Sequence, residues 1–222
     1  MSDRALVVFV KHPRPGAVKT RLAASIGPEA AAELYRALAE HVLEATAPAA
    51  GEYERLVFFE PAEAREEMRA WLPGVRLLAQ SGGDLGARMA DAFARAFARG
   101  ASRVALVGTD APDVTRETAA LALSALDAAD VVLGPAEDGG YSLVALRAPQ
   151  PLLFSGIEWS TPRVLEETRA RAAAAGLAVR ELAPVADVDT LDDLRRAWPR
   201  VEGILAGREA LAGEIRRHLR LR

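Results

Sequence analysis

An aspartate at the end of a predicted buried strand is the residue in this chain whose position most clearly suggests chemistry. An apolar run ends at Thr109, and Asp110 follows directly. Pro112 then stops the strand, because proline has no backbone N–H group to donate. A carboxylate just beyond the carboxyl end of a strand lies where open α/β sheets bind ligands, and it can hold a divalent cation against phosphate oxygens. The alternative is that Asp110 only caps the helix predicted to start near Thr115.

The first loop of the chain combines positive charge with the start of a helix. Lys11, Arg14, Lys19 and Arg21 fall within eleven residues, around Gly16. Backbone N–H groups at a helix start add partial positive charge, so the loop predicts a cradle for a di- or triphosphate. It is not a P-loop, because the Gly-x4-Gly-Lys-Ser/Thr spacing is absent. The alternative is a solvated basic loop.

The two lysines of the chain both lie in this loop. The sequence has 28 basic residues, and all except Lys11 and Lys19 are arginine. An ammonium is a compact point charge and a guanidinium is planar, so the two are not interchangeable. Lysine at these positions in an arginine-rich chain favours a role for the amine, with chance as the alternative.

A second glycine-rich turn precedes the helix predicted from Leu85. Gly82 and Gly83 permit close backbone approach, which suits a nucleobase or ribose. Arg88, one turn into that helix, faces either phosphate or solvent. Ordinary turn and capping chemistry is the alternative for the glycines.

An acidic loop separates the fifth and sixth predicted strands. It reads Glu137, Asp138, Gly139, Gly140 and then Tyr141, where the next strand begins. Two acidic residues and two glycines in a loop between strand ends suit recognition of hydroxyl groups or of a second substrate. Glu137 or Asp138 would orient the acceptor or act as a base. The alternative is an acidic surface turn.

Two later segments complete the candidate site. Trp159, Ser160 and Thr161 precede a predicted helix, where the tryptophan either stacks on a sugar or base of the acceptor or packs in the core. Asp187 and Asp189 alternate, so in an extended segment they point to opposite sides and only one can face a metal with Asp110. We favour Asp189, which is nearer to the start of the next helix.

The composition limits the possible functions. The chain has 222 residues, half of them hydrophobic, and a net charge of −3. This length fits one domain over residues 1–222, and the charge argues against a nucleic-acid binder. There is no cysteine, which excludes disulfides and thiolate metal sites. The first apolar run is too short for a signal sequence or a membrane span, so we expect a soluble cytoplasmic protein without a membrane partner.

The hydrophobic pattern predicts alternating strands and helices. The predicted strands are Ala5–Val10, Arg55–Glu60, Val75–Gln80, Arg103–Val107, Asp130–Leu133, Tyr141–Leu146 and Ala178–Leu182. The predicted helices are Val18–Ile26, Pro28–Ala47, Ala62–Trp71, Leu85–Arg99, Arg116–Asp127, Pro162–Ala175, Thr190–Trp198 and Val201–Leu221, the last interrupted by Gly207 and Gly213. This alternation predicts a single α/β domain, a three-layer α/β/α sandwich with a mostly parallel mixed sheet.

The ordered set of motifs resembles the GT-A-fold (Rossmann-like) nucleotide-diphospho-sugar transferases. The chain is most similar to the DUF2064 family of candidate glycosyltransferases, which are associated with radical-SAM or selenodomain genes. The matching segments are Lys11–Leu22, Gln80–Met89, Val107–Pro112, Gly134–Leu146, Trp159–Thr161 and Asp187–Leu194. A more distant resemblance extends to 2-phospholactate and molybdenum-cofactor guanylyltransferases.

The resemblance implies a metal-dependent transferase that uses a nucleotide-activated donor. Glycosyl transfer from a nucleotide sugar to a small-molecule acceptor is the first expectation. Asp110 with Asp189 would hold Mg²⁺ or Mn²⁺ on the diphosphate, and Lys19, Arg21 and Lys11 would neutralise phosphate charge. Nucleotidyl transfer from a nucleoside triphosphate, with release of pyrophosphate, is the alternative. A non-catalytic nucleotide-binding module is the second alternative, and the oligomeric state is open.

Three departures from the wider pattern weaken transfer of any one chemistry. The first loop carries prolines where the nucleotidyltransferases have more glycines. Leu191 stands where a proline usually follows the threonine of the later acidic motif. Pro112 removes an Asp-x-Asp triplet at Asp110.

Overall fold

The first strand, β1 (Arg4–Lys11), is buried on both faces over most of its length. Alternate residues of a strand point to opposite sides. Here Leu6 and Val8 pack on one side of the sheet, while Ala5 and Val7 pack on the other. Continuous apolar runs of this kind are typical of parallel strands that are covered on both faces, so β1 belongs in the middle of a sheet.

Six further strands join β1 in the computed structural model, which describes residues 2–220. They are β2 (Glu54–Glu60), β3 (Leu77–Ala79), β4 (Arg103–Gly108), β5 (Val131–Pro135), β6 (Tyr141–Leu146) and β7 (Val179–Glu181). The order across the sheet is β3-β2-β1-β4-β6-β5-β7. Strand β6 is antiparallel to both β4 and β5, and the other neighbouring pairs are parallel. The predicted mostly parallel mixed sheet is confirmed.

Helices cover both faces of this sheet. They are α1 (Thr20–Ile26), α2 (Pro28–Ala45), α3 (Arg65–Trp71), α4 (Leu85–Phe97), α5 (Arg116–Ala125), α6 (Val164–Ala174), α7 (Leu191–Ile204) and α8 (Glu209–Leu219). Helices α2, α3 and α5 pack on one face, and α4 and α6 pack on the other, which confirms the three-layer sandwich. Within residues 2–220, no helix is long and apolar enough to cross a membrane.

Helices α1, α7 and α8 form a further layer outside α2, which we call the outer helical cluster. Leu22 and Ile26 of α1 are buried there together with Leu194 and Trp198 of α7 and Ile215 of α8. The short helix α1 is therefore held by two C-terminal helices. This matters for the site, because Lys19 immediately precedes α1.

The predicted boundary between the last two helices is wrong. The sequence predicted one helix ending at Trp198 and another over Val201–Leu221, whereas α7 continues through Pro199. A proline inside a helix costs about 3 kcal/mol. Leu194, Trp198 and Val201 share one helical face and are all buried in the outer helical cluster, and this burial outweighs the proline.

The predicted interruption at Gly207 is confirmed, because α7 ends at Ile204, α8 begins at Glu209, and Gly207 between them has a φ of 85°. Gly213 lies within α8 and does not interrupt it, while Leu221 lies outside the described residues. Strand β3 is also shorter than predicted, Leu77–Ala79 instead of Val75–Gln80, because it lies at the edge and pairs only with β2.

Candidate functional site

A cavity of about 350 Å³ opens at the carboxyl ends of β1 and β4 and beside the start of β6. Parallel strands end at the same edge of a sheet, so the loops after β1, β2 and β4 converge there. Asp110 and Asp187 both line this cavity. The lining also includes Lys11, Glu60, Gln80, Arg88, Asp138, Gly140, Tyr141, Trp159, Ser160 and Thr161.

Lys19 joins the two aspartates that the sequence predicted as metal ligands. Its Nζ atom lies 2.5 Å from Oδ1 of Asp110 and 2.7 Å from Oδ1 of Asp189. The lysine side chain is only 2% exposed, whereas those of Asp110 and Asp189 are 47% and 42% exposed. The ammonium is thus buried beneath two carboxylates that still reach solvent.

Lys19 and its two carboxylate partners each favour the charged form of the other. Burial alone would lower the pKa of Lys19, but the two carboxylates outweigh it and raise the pKa above its ordinary value. Burial likewise would raise the pKa of Asp110, and the lysine ammonium outweighs it and lowers the pKa. Both groups are therefore charged at neutral pH.

Asp187, and not Asp189, lines the cavity beside Asp110. Val188, between Asp187 and Asp189 in the sequence, is fully buried. Its backbone N–H donates to the carbonyl of Asp110 at 3.2 Å and so joins the loop before α7 to the loop after β4. Oδ1 of Asp187 is buried without a hydrogen-bond partner. Burial, with Asp110 and Asp189 nearby, raises the pKa of Asp187 to about 7.

Lys11, Glu60, Gln80 and Arg88 form a polar part of the lining, which we call the polar wall. It contains two of the predicted cationic residues, Lys11 and Arg88. Nη1 of Arg88 contacts Oε2 of Glu60 and donates to Oε1 of Gln80 at 3.3 Å. Nζ of Lys11 lies 3.5 Å from Oε1 of Glu60. The amide of Gln80 also donates to the carbonyl of Phe58 at 3.1 Å, which fixes its orientation.

Tyr141 and Trp159 form an aromatic part of the lining, which we call the aromatic wall. Tyr141 and Trp159 meet edge to face, with ring centroids 6.5 Å apart. Trp159 lies over Gly86 of α4, where an added Cβ would be 2.3 Å from the carbonyl oxygen of Phe154. Ser160 has a φ of 64°, an uncommon conformation for a residue with a side chain, and such strain often occurs at functional sites.

A model of the family described as "Uncharacterized protein conserved in bacteria (DUF2064)" matches residues 42–161, more than half of the chain. The chain belongs to the DUF2064 family. A phosphoenolpyruvate guanylyltransferase from Chloroflexus aggregans is 33% identical to this DUF2064 protein over 193 residues, which cover 80% of this chain and 88% of the relative. The family resemblance derived from the motifs is confirmed, and the relatives are transferases.

Solved structures agree with the fold. A candidate nucleotide-diphospho-sugar transferase from Desulfovibrio desulfuricans G20 has a TM-score of 0.88 and 35% identity to this DUF2064 protein, and covers 97% of this chain and 99% of that chain. The manganese complex of Rv0371c from Mycobacterium tuberculosis H37Rv has a TM-score of 0.52 and 19% identity, over 87% of this chain and 96% of that chain. This second likeness shows the fold alone.

The donor atoms of the DUF2064 protein fit a divalent cation that is shared with a ligand. Within residues 2–220, no three histidine, aspartate or glutamate side chains are grouped to hold a metal by themselves. Mg²⁺ is usually bound by one or two carboxylates together with substrate phosphates and water. Asp110 and Asp187, which has an unpartnered oxygen, both line the cavity and match this pattern. Asp189 contacts Lys19 as Asp110 does, but it lies outside the lining. The geometry thus favours Asp187 over the predicted Asp189.

Several predicted residues lie outside the cavity lining. They are Arg14, Gly16, Lys19, Arg21, Gly82, Gly83, Glu137, Gly139 and Asp189. Arg14 is exposed and lies 3.5 Å from Glu67, and Arg21 is exposed on α1. Glu137 is exposed and lies 3.7 Å from Arg196. Gly139 is tightly packed, because an added Cβ would be 2.2 Å from the carbonyl oxygen of Pro162.

Two residues of the site were not singled out from the sequence. Glu60 ends β2 in the same way that Asp110 follows β4, so its position after a buried strand was a usable signal. Tyr35 of α2 lies in the middle of a helix and gives no such signal. Its hydroxyl accepts from the backbone N–H of Lys11 at 2.7 Å and lies 2.9 Å from the hydroxyl of Thr109, so it joins the loops after β1 and β4.

Proposed function

We propose that this protein is a nucleotidyltransferase, which transfers a nucleoside monophosphate from a nucleoside triphosphate to a small acceptor and releases pyrophosphate. The observation that carries the proposal is that one cavity is lined by the pair Asp110 and Asp187, by the cations Lys11 and Arg88, and by aromatic side chains. Such a cavity can place a triphosphate and an acceptor side by side. The 33% identity to a phosphoenolpyruvate guanylyltransferase supports the reaction class.

Asp110 and Asp187 would hold Mg²⁺ or Mn²⁺ through their carboxylate oxygens. When bound, the cation supplies neutralising charge to the phosphate oxygens. Lys19 acts through Asp110: its ammonium keeps that carboxylate ionised and fixes one of its oxygens, at 2.5 Å. The lysine is thus a positioning residue in this proposal and does not reach the phosphates.

Lys11 and Arg88 are the cations that line the cavity, and they would meet the negative charge of the triphosphate. Both now contact Glu60. This carboxylate holds their side chains at the cavity wall, and so reduces the conformational entropy that they lose when the nucleotide binds.

The acceptor would lie against Tyr141 and Trp159, near Asp138 at the rim. In the reaction an oxygen of the acceptor bonds to the α-phosphorus while the bond from that phosphorus to the bridging oxygen breaks. The bonding electron pair leaves with pyrophosphate. An anionic acceptor brings no proton to this step, and a hydroxyl acceptor would pass its proton to the exposed carboxylate of Asp138.

Glycosyl transfer from a nucleotide sugar is the second candidate. It is favoured by the structure from Desulfovibrio desulfuricans, which is 35% identical and is described as a candidate nucleotide-diphospho-sugar transferase. Both reactions place a diphosphate group beside Asp110. They differ in the bond that breaks, at phosphorus in one case and at the sugar carbon in the other.

A substrate panel with Mn²⁺ separates these functions. We expect pyrophosphate release from one nucleoside triphosphate when phosphoenolpyruvate or another small phosphorylated acid is supplied as acceptor. The variant Asp110→Asn should lose at least about two orders of magnitude in rate, as removal of one electrostatic catalytic contact typically does. Its melting temperature should fall but the variant should stay folded, because Lys19 loses one of the two charges that compensate its burial while Asp189 and the amide oxygen still accept from it.

Other outcomes of the same panel contradict the proposal. Release of a nucleoside diphosphate from a nucleotide sugar, without pyrophosphate from any triphosphate, would support the glycosyltransferase. Metal-dependent binding of nucleotides without turnover of either donor class would support a non-catalytic binding module.

A further inference from the structure

The ammonium of Lys19 stands where a second metal ion would have to stand. It lies 2.5 Å from Asp110 and 2.7 Å from Asp189, and the side chain is 2% exposed. Hard divalent cations bind carboxylate oxygens at about 2.0–2.6 Å. A cation that bridged the same two oxygens would therefore overlap the ammonium, so the two cannot be present together.

We propose that Lys19 is a built-in cation that replaces a second divalent metal ion, so that the protein holds one metal on Asp110 and Asp187. The inference rests on the proposed metal site but not on the identity of the reaction. It assigns Asp189 as the counter-ion of Lys19, and it distinguishes this site from one in which all three aspartates share two metals.

The backbone holds the lysine in this position. Lys19 has φ 47° and ψ 42°, a left-handed conformation that is unfavourable for a residue with a side chain. The conformation persists because the flanking residues are fixed: Val18 is 3% exposed, and Leu22 and Ile26 are buried in the outer helical cluster.

The partner carboxylate is held equally well. Oδ2 of Asp193 accepts from the backbone N–H groups of Asp189, at 3.2 Å, and of Thr190, at 2.7 Å. The side chain of Thr190 in turn accepts from the N–H of Asp193 and caps α7. The strand-end carboxylate of Asp110 and the helix-start carboxylate of Asp189 are thus presented to one ammonium by two rigid elements.

A single compact charge suits this role. Lysine offers three donors on one point charge, so two carboxylates can share it. Asp110 uses Oδ1 for the lysine. Its other oxygen would hold the metal together with Asp187, which also lines the cavity.

The test is the number of Mn²⁺ ions that the free protein binds, counted by the loss of the free Mn²⁺ signal in electron paramagnetic resonance. We expect one equivalent for the wild type and two for Lys19→Met, which removes the charge and keeps the length of the side chain. Arg21→Met is the matched control, because it removes one charge from the adjoining exposed turn. It should bind one equivalent.

Two further variants assign the ligands. Asp189→Asn should keep the single Mn²⁺ ion, whereas Asp187→Asn should weaken it at least tenfold. If Lys19→Met does not fold, Lys19→Ala serves as the second variant, since it removes both the charge and the group that lies between the two carboxylates, and it too should bind two ions.

The inference is overturned by two ions in the wild type, by one ion in every Lys19 variant that folds, or by no binding in any of them. These results are independent of turnover. A wild type that binds one ion, with Lys19→Met binding two, would support the role of Lys19 even if the substrate panel showed no pyrophosphate release.

Discussion

Gly86 is the residue that lets the aromatic wall of the cavity approach α4. Its backbone lies against the carbonyl of Phe154 and the indole of Trp159, with no room for a Cβ atom between them. The identity of a single residue thus sets the position of Trp159, and through it the shape of the proposed acceptor side.

Substitution Gly86→Ala should therefore destabilise the protein by about 1–3 kcal/mol, as overpacking of a filled core does. Urea denaturation measures the change. Gly213→Ala is the matched control, because Gly213 also lies within a helix and an added Cβ would meet nothing within 4 Å. The control should gain up to about 1 kcal/mol from helix propensity. Equal effects of the two substitutions would contradict the packing assigned to Gly86.

The sequence predicts single residues of the site better than it predicts their partners. Asp110 was identifiable because its signal is local: a buried run, a turn and a proline. Its contact with Lys19 joins distant parts of the chain, and Lys19 and Asp189 are 170 residues apart. No periodicity or spacing specifies such a pair. The choice between Asp187 and Asp189 is open in the sequence for the same reason, since alternation predicts that only one of them faces a metal but not which one.

At the scale of elements, Glu40 of α2 connects three helices. Its Oε1 accepts from the indole N–H of Trp71 in α3 at 2.6 Å and from Arg36 at 3.0 Å. Its Oε2 contacts Arg208, just before α8. Burial would raise the pKa of Glu40, but the hydrogen bonds from Trp71 and Arg36 and the charge of Arg208 outweigh it and lower the pKa.

Because this carboxylate binds its proton more weakly in the folded state, it stabilises the fold above the ordinary pKa of glutamate. That contribution disappears as the pH falls through the lowered value. We expect Glu40→Gln to cost about 1 kcal/mol at pH 7. The difference from the wild type should shrink as the pH falls well below 4.5, the ordinary value.

Urea denaturation at several pH values measures this effect. The exposed Glu63 provides the control, since Glu63→Gln should change the free energy of unfolding by less than about 0.5 kcal/mol at every pH. A cost of Glu40→Gln that stays constant from pH 7 to pH 3 would show that the charge of Glu40 does not connect the helices.

The elements themselves were largely predictable from the sequence, because each strand and helix has its own apolar period. The exception at Pro199 has a physical cause. Local chemistry predicts a break before a proline, but three side chains of α7 are buried against helices distant in sequence, and tertiary packing decides. A local sequence pattern does not predict that tertiary packing outweighs the effect of a proline on a helix.

At the scale of the whole molecule, the sheet topology and the outer helical cluster meet at the proposed site. Parallel strands bring the loops after β1, β2 and β4 to one edge, where the cavity opens. Lys19 and Asp189 lie at the same edge, just before helices α1 and α7 of the outer helical cluster. The site therefore depends on residues from nearly the full length of the chain, and we expect it to form only when the whole domain is folded.

We propose that the protein transfers a nucleotidyl group in the cavity at this edge of the sheet. The most direct measurement follows two phosphorus labels in the nucleoside triphosphate that the substrate panel selects, one in the α-phosphate and one in the γ-phosphate. We expect the α-label to appear in the acceptor and the γ-label in pyrophosphate, in equal amounts. An acceptor that gains a sugar from a nucleotide sugar, while neither label moves, would contradict it.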